Sequence, residues 1–305
     1  MHSQQYRSLV AMARAKPLNS DVTLEQHREG LERVVDLLPL PPDVTVEPVD
    51  ADGVPAEWIN APGVSMDCVL FYLHGGAYSI GSLRTHRRLA SDLARAGGLR
   101  GLSIGYRLAP EHVFPAAVED AVTAYRWLIC SGIAPGNVVV GGDSAGGGLS
   151  LALLMKLRDE GDPLPAAAVC LSPWTDLAAT GASVMGKAAS DPILRPRDLH
   201  CFAQRYLGEM DARTPLASPL YGDLSGLPPL LIHAGTAEIL LDDSTRLAAR
   251  AKDAGVDVTL KIADDMIHAW HYFAPLIPEG EEAIAEVGEF IRAHVRPLDA
   301  ASARR

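Results

Sequence analysis

The chain has 305 residues, 48% of them hydrophobic and 21% charged, which suits one large soluble domain or two small ones with a real core. A formal net charge of −11 leaves no electrostatic case for binding nucleic acid. The ten histidines show no metal-ligand spacing such as HExxH, so no metal is expected. Four scattered cysteines, Cys68, Cys130, Cys170 and Cys201, form no CxxC pair and no disulfide framework. Cys68 and Cys170 fall in apolar runs and read as buried thiols. The N-terminal stretch is polar where a signal peptide needs an apolar core, and no segment is long enough to span a bilayer. A cytoplasmic protein without membrane contact is the expectation.

Residues 1 to about 40 read as helical. Leu9, Val10 and Met12 precede a second periodic segment, TLEQHREGLERVVDLL, which stops at Pro39, Pro41 and Pro42. DVTVEPVDADGVPAEWINAP then reads as a hairpin with Asp52-Gly53 at its turn. After it, short apolar runs alternate with helical ones. CVLFYL (68–73) precedes THRRLASDLARAG, GLSIGY (101–106) precedes AAVEDAVTAYRWLIC, and NVVVGG (137–142) precedes GGLSLALLMKLRDEG. AAAVCLS (167–172), PLLIHAG (229–235) and VTLKIA (258–263) continue the series. That alternation predicts a mostly parallel sheet covered by helices on both faces. The span from about 180 to 215 breaks the rhythm and reads as an insertion that packs with the N-terminal helices as a cap. No internal repeat or low-complexity segment interrupts the chain, and the last residues, DAASARR, read as frayed.

The third buried run enters GGDSAGGG (141–148), where Gly142-Asp143-Ser144-Ala145-Gly146 fits G-x-S-x-G between a strand and a helix. A serine lifted on such a turn needs strained backbone at its own position and no side chains crowding it. The helix N-terminus beneath Ser144 suits a developing negative charge. A phosphate-binding loop is the weaker reading, because no Lys-Ser/Thr pair follows the glycines. Upstream, LHGGAY (73–78) closes the first buried run. A glycine-rich loop can bring backbone N–H groups close to an oxygen that becomes negative during acyl transfer. Gly75, Gly76 and Ala77, with the N–H of Ala145, are the candidate donors, and His74 reads as a brace for the loop.

Four motifs in order now make the chain recognisable. HGGA (74–77), YRLAPEH (106–112) with FPAAVED (114–120), GDSAGG (142–147) and SPWTD (172–176) resemble the hormone-sensitive-lipase group of the α/β-hydrolases, above all its bacterial esterases. The resemblance covers nearly the whole chain. It implies one α/β-hydrolase domain with a mostly parallel eight-stranded sheet, helices on both faces, and a small helical cap from about 1–40 and 180–215. Many members carry a third glycine where this chain has Ala77, whose methyl group still leaves its N–H free. YRLAPEH reads as a structural network near the site, so Arg107 and Glu111 are not catalytic candidates.

In this fold the chain order is serine, acid, histidine. His74, His86 and His112 precede Ser144 and drop out. Of the later histidines only His268 and His271 lie just beyond the final strand, in DDMIHAWHYF (264–273), and the family's pattern matches His268 best. His271 reads as packing. The acid belongs in the loop after PLLIHAG. In many members that loop reads Asp-Pro-Leu-x-Asp with the first Asp catalytic, which lays onto Glu238-Ile239-Leu240-Leu241-Asp242. Glu238 is then the orienting acid and Asp242 a helix-start or hydrogen-bonding residue. A rival register puts the family's acid position at Ala237.

The resemblance thus implies a carboxylic-ester hydrolase with Ser144 as nucleophile, His268 as base and no cofactor, and a homodimer, as the family often forms. The compact cap, with no broad apolar lid in the sequence, points to short-chain esters of small molecules. Two other classes remain open. One is a non-catalytic small-molecule-binding relative, as plant gibberellin receptors are in this fold. The other is an amide or carbamate hydrolase using the same residues.

Overall fold

The computed structural model of the protein describes residues 2–15 and 22–295. Two helices open the chain, α1 (Gln4–Ala15) and α2 (Leu24–Val34). Thr23 starts α2 with a capping box, its hydroxyl accepting from Gln26 N–H while the Gln26 side chain accepts from Thr23 N–H. The middle of the expected N-terminal helical stretch, 16–21, and the DAASARR tail lie outside the described residues. The expected hairpin follows as β1 (Thr45–Asp50) and β2 (Pro55–Asn60), paired antiparallel. Its turn needs positive φ at Asp52 and Gly53, and Asp50 Oδ1 accepts the Gly53 N–H at 2.6 Å.

The remaining strands are β3 (Ser65–Leu73), β4 (Leu99–Ile104), β5 (Val138–Asp143), β6 (Ala167–Leu171), β7 (Leu230–Gly235) and β8 (Val258–Ala263). Among the described residues eight strands form one sheet in the order β1-β2-β4-β3-β5-β6-β7-β8. β1 and β2 run antiparallel to their neighbours, and every pairing from β4 to β8 is parallel.

Helices α3 (Leu83–Gly97), α4 (Ala116–Cys130), α5 (Ala145–Glu160) and α8 (Leu241–Asp253) each connect successive parallel strands, which need such a crossover; two shorter ones, α6 (Ala182–Gly186) and α7 (Pro196–Leu207), occupy the expected insertion between β6 and β7, and α9 (Pro278–His294) follows β8. The period of two in β3 shows how both faces are filled. Val69, Phe71 and Leu73 pack with residues of α4 and α5, while Leu70 and Tyr72 pack with Leu89 and Leu93 of α3 and Val287 and Ile291 of α9. This is why CVLFYL reads as a continuous apolar run, since neither face meets water. Cys68 and Cys170 are buried as expected, and burial pushes the Cys170 thiol up to about 12.

The N-terminal helices and the insertion touch. His27 of α2 lies 5.9 Å from Phe202 of α7, ring to ring, and Ile193 packs against a cluster that includes Tyr6 and Leu9 of α1. Among the described residues no helix is long and apolar enough to cross a membrane. The parallel strands share one C-terminal edge, where Gly75, Gly76 and Ala77 follow β3, Ser144 and Ala145 follow β5, Glu238 follows β7 and His268 follows β8.

Candidate active site

Strand β5 passes straight into α5 through Ser144, which has φ 52° and ψ −120°. A non-glycine residue in that region stores roughly 1–3 kcal/mol of strain. The turn is held from both sides: Ser144 N–H donates to Leu171 O at 2.8 Å, and its carbonyl accepts from Trp174 N–H at 2.9 Å and Gly148 N–H at 3.1 Å. The glycines are needed for close approach. A Cβ at Gly142 would come within 2.4 Å of the Gly146 backbone, and one at Gly146 within 2.0 Å of Leu73 O. Helix α5 begins at Ala145, two residues earlier than its sequence pattern suggests, so the helix N-terminus lies directly after the serine. As the first helical residue, Ala145 has no partner for its N–H within the helix.

The loops after β7 and β8 meet through their side chains. His268 Nδ1–H donates to Glu238 Oε2 at 2.6 Å, with Glu238 fully buried and His268 6% exposed. The other carboxylate oxygen, Oε1, accepts from Gly235 N–H at 2.6 Å and from Ser172 Oγ–H at 3.0 Å. Burial pulls the His268 pKa down, but the hydrogen bond and charge of Glu238, helped by Asp191 and Asp143, outweigh it and leave it raised. Ser172 also joins this pair to the elbow. Its Oγ accepts the Ala269 N–H at 3.0 Å, beside His268, and the preceding residue, Leu171, accepts the Ser144 N–H. Ala237 sits in the same loop with its N–H donated to Met266 O, and its methyl group offers His268 nothing. His268 therefore bonds Glu238, the residue that the register through Leu240 selects.

The HGGA loop has three successive residues at positive φ: Gly76 (113°), Ala77 (51°) and Tyr78 (57°). Consecutive amides in such conformations form a concavity suited to an anion. Gly76 and Ala77 are half-buried, and among the described residues neither N–H has a hydrogen-bond acceptor. Gly75, expected as a third donor, is not available for that role. It is buried, and its N–H is already donated to Asp143 Oδ1 at 2.9 Å. His74 braces the loop as expected: its Nδ1–H donates to Gly75 O at 2.7 Å, its ring stacks on Tyr106 at 4.2 Å, and Tyr106 O–H donates to His74 O. Burial, with His86 nearby, holds the His74 pKa at about 3, so it stays neutral.

Comparison with known proteins gives the family. A family model described as the alpha/beta hydrolase fold matches residues 70–272. An acetyl-hydrolase of Streptomyces hygroscopicus is 51% identical over 237 residues, spanning 78% of this chain and 79% of its own length. The crystal structure of an esterase from the bacterial hormone-sensitive lipase family superposes with a TM-score of 0.94 at 50% identity, covering 97% of this chain and all of that one. The chain belongs to the hormone-sensitive-lipase group of the α/β-hydrolases. The crystal structure of EstE5, soaked with p-nitrophenyl butyrate, also superposes, with a TM-score of 0.93 at 47% identity, covering 96% of this chain and 99% of that one.

Other residues of this hormone-sensitive-lipase scaffold fall where their chemistry puts them. Asp242, on the first turn of α8, bonds the insertion: its carboxylate accepts Ser183 N–H at 2.9 Å and its own N–H donates to Ser183 Oγ at 3.0 Å. Asp243 is buried and accepts the N–H groups of Thr175 and Asp176, and burial pushes its carboxyl up to about 7. His271 packs against Trp270 and shares a 3.0 Å contact with His233. In YRLAPEH, Arg107 pairs with Asp120, and Glu111 pairs with Arg28 of α2 at 2.6 Å.

Two residues near the acid escaped sequence reasoning. Ser172 opens the SPWTD motif, so its position in a motif was the available signal, but its link to Glu238 spans 66 positions. Asp191 lies in the insertion, where no motif marked it. Its Oδ2 accepts the N–H of Ile239, next to Glu238, at 2.9 Å, and Oδ1 accepts from Ile193 and Leu194.

Proposed function

We propose that this carboxylic-ester hydrolase is a serine esterase of short-chain substrates that works through Ser144, His268 and Glu238. Ser144 Oγ attacks the acyl carbon and its proton passes to His268 Nε2. The tetrahedral oxyanion is stabilised by the N–H groups of Gly76, Ala77 and Ala145. His268 returns the proton to the departing alcohol, leaving an acyl group on Ser144. Water, activated by the same histidine, then releases the carboxylic acid and restores the serine. Glu238 keeps the proton on His268 Nδ1, so that Nε2 is free to accept, and stabilises the imidazolium as it forms.

The observation that carries this reading is the 2.6 Å bond between His268 and Glu238, joined through Ser172 to the strained elbow that presents Ser144. A protein that only bound ligands would have no use for a tautomer held in this way. The short-chain preference draws support from the acetyl-hydrolase relative and from EstE5, whose crystal was soaked with a butyrate ester. In the same reading α1, α2 and the insertion cap the site, and the chain forms a homodimer through edge strand β8, where Ile262 is 40% exposed.

Hydrolysis of p-nitrophenyl esters of increasing acyl length is the test. Acetate and butyrate are expected to turn over fastest, with kcat of Ser144→Ala lower by about 10⁶-fold. No hydrolysis of any ester would favour a binding protein. Faster cleavage of matched anilides or carbamates would move the activity to that class.

A further inference from the structure

We infer that Asp143 is the positioning residue of the oxyanion loop: its buried carboxylate pins the Gly75 amide and thereby fixes where the next two amides, those of Gly76 and Ala77, stand. The inference rests on the assignment of those two amides as oxyanion donors. Asp143 is the residue before the nucleophile, yet its side chain points into the protein, 4% exposed, and touches neither His268 nor the acid loop. Its Oδ1 accepts the Gly75 N–H at 2.9 Å and the Tyr72 O–H at 2.5 Å, and its Oδ2 lies 3.4 Å from His86 Nε2.

The loop needs such an anchor. Ala77 and Tyr78 carry side chains at positive φ, a conformation that L-residues avoid when free to relax. The far side of the loop is held by Ile80 N–H donating to Gly76 O at 2.8 Å, by Ala109 N–H donating to Tyr78 O at 2.8 Å, and by Arg28 Nε–H donating to Ser79 O at 2.9 Å. On the near side Gly75 is held at both ends: its carbonyl, in the same peptide as the Gly76 N–H, accepts from His74 Nδ1–H at 2.7 Å, and its N–H donates to Asp143. The fit is close: a Cβ at Gly75 would lie 2.2 Å from Asp143 Oδ2. Because Asp143 and Ser144 share a peptide bond, this contact, unlike the His74 brace, ties the donor loop directly to the nucleophile. The anchor also keeps its charge. Burial pushes the carboxyl up, but His86, the Tyr72 hydroxyl and the Gly75 N–H outweigh that and hold it at about 2.

A positioning residue of this kind acts on the transition state more than on substrate binding. Asp143→Ser, too short to reach Gly75, is expected to lower kcat by about 10²–10³-fold, the loss seen when an oxyanion donor is removed. KM should stay within about threefold. Affinity for a trifluoromethyl ketone, which forms a tetrahedral adduct on the serine, should fall by the same factor as kcat, while affinity for the carboxylic acid product does not. Asp143→Asn keeps the acceptor oxygen and should lose about tenfold or less. An Asp143→Ser enzyme with unchanged ketone affinity, or one that loses ketone and product affinity equally, overturns the inference. If Asp143→Ser fails to fold, Asp143→Asn decides alone: ketone and product affinities falling together, or kcat falling beyond 10²-fold with ketone affinity intact, overturns it. The wild type separates the two levels. An inactive wild type would sink the esterase reading, whereas an active one with an insensitive Asp143→Ser sinks only this inference.

Discussion

The elbow after β5 and the loop after β7 that holds the proposed acid are built in different ways. The elbow is a backbone structure: Ser144 at φ 52°, and glycines at 142 and 146 where any Cβ would strike main-chain atoms. The acid loop is a side-chain structure. Glu238 is placed by Ser172 from the loop after β6 and by the Gly235 amide, and its neighbour Ile239 is tied to Asp191 of the insertion. Backbone devices leave their constraint in the local sequence, because only certain residues tolerate the conformation. Side-chain devices assembled from distant segments leave almost none.

The largest expected effect on that comparison comes from the acid. Glu238→Ala should lower kcat by about 10⁴-fold with folding intact, since the imidazole loses both its orientation and its counter-charge. Near-normal kcat in this variant would return the question to the Ala237 register. Ser172→Ala removes one donor from a buried carboxylate oxygen and frees the Ala269 amide. A bond to a charged group is worth about 1.5–3 kcal/mol, so kcat should fall by about tenfold to a hundredfold. Steady-state kinetics showing no change would mean that Gly235 alone positions the acid.

The pH profile sharpens the same point. In the proposed mechanism His268 must be neutral to accept the Ser144 proton, so kcat/KM should be full above its pKa and lost as pH falls through it. Burial lowers that pKa, yet the bond and charge of Glu238 raise it further, so the acid limb should fall above the ordinary histidine value of about 6.5. Glu238→Gln removes the charge and should move the midpoint of the residual activity to lower pH. The smallest effect belongs to Asp242→Ala, which removes the carboxylate that accepts the Ser183 N–H and keeps the backbone N–H that donates to Ser183 Oγ. Thermal unfolding should report a loss of about 1 kcal/mol with kcat nearly unchanged. A large kcat loss would instead give Asp242 a role at the chemistry.

How much was legible follows the same division. The sheet was legible from short apolar runs alternating with helical ones, and each expected strand is present with ends moved by a few residues, as where GLSIGY becomes Leu99–Ile104. Ser144 announced itself through its glycines. Glu238 and His268 needed the family's register and chain order, because three carboxylates and two histidines stand within a few positions of each other. Gly75 was misread as a donor because HGG shows that amides can approach a ligand, not which of them already has a partner. That partner, Asp143, lies 68 positions away. Ser172 and Asp191 were missed for the same physical reason.

The central claim is that Ser144 is a nucleophile activated by His268 and Glu238. Diethyl p-nitrophenyl phosphate tests it most directly, because its phosphoryl group transfers to an activated serine and stays there. One diethylphosphoryl group per chain is expected, found by peptide mass spectrometry on Ser144, with one equivalent of p-nitrophenolate released. The rate should rise with pH along the His268 limb and be lost in Ser144→Ala. Label on any other residue, or a Ser144→Ala protein that is still labelled and still hydrolyses esters, would contradict it.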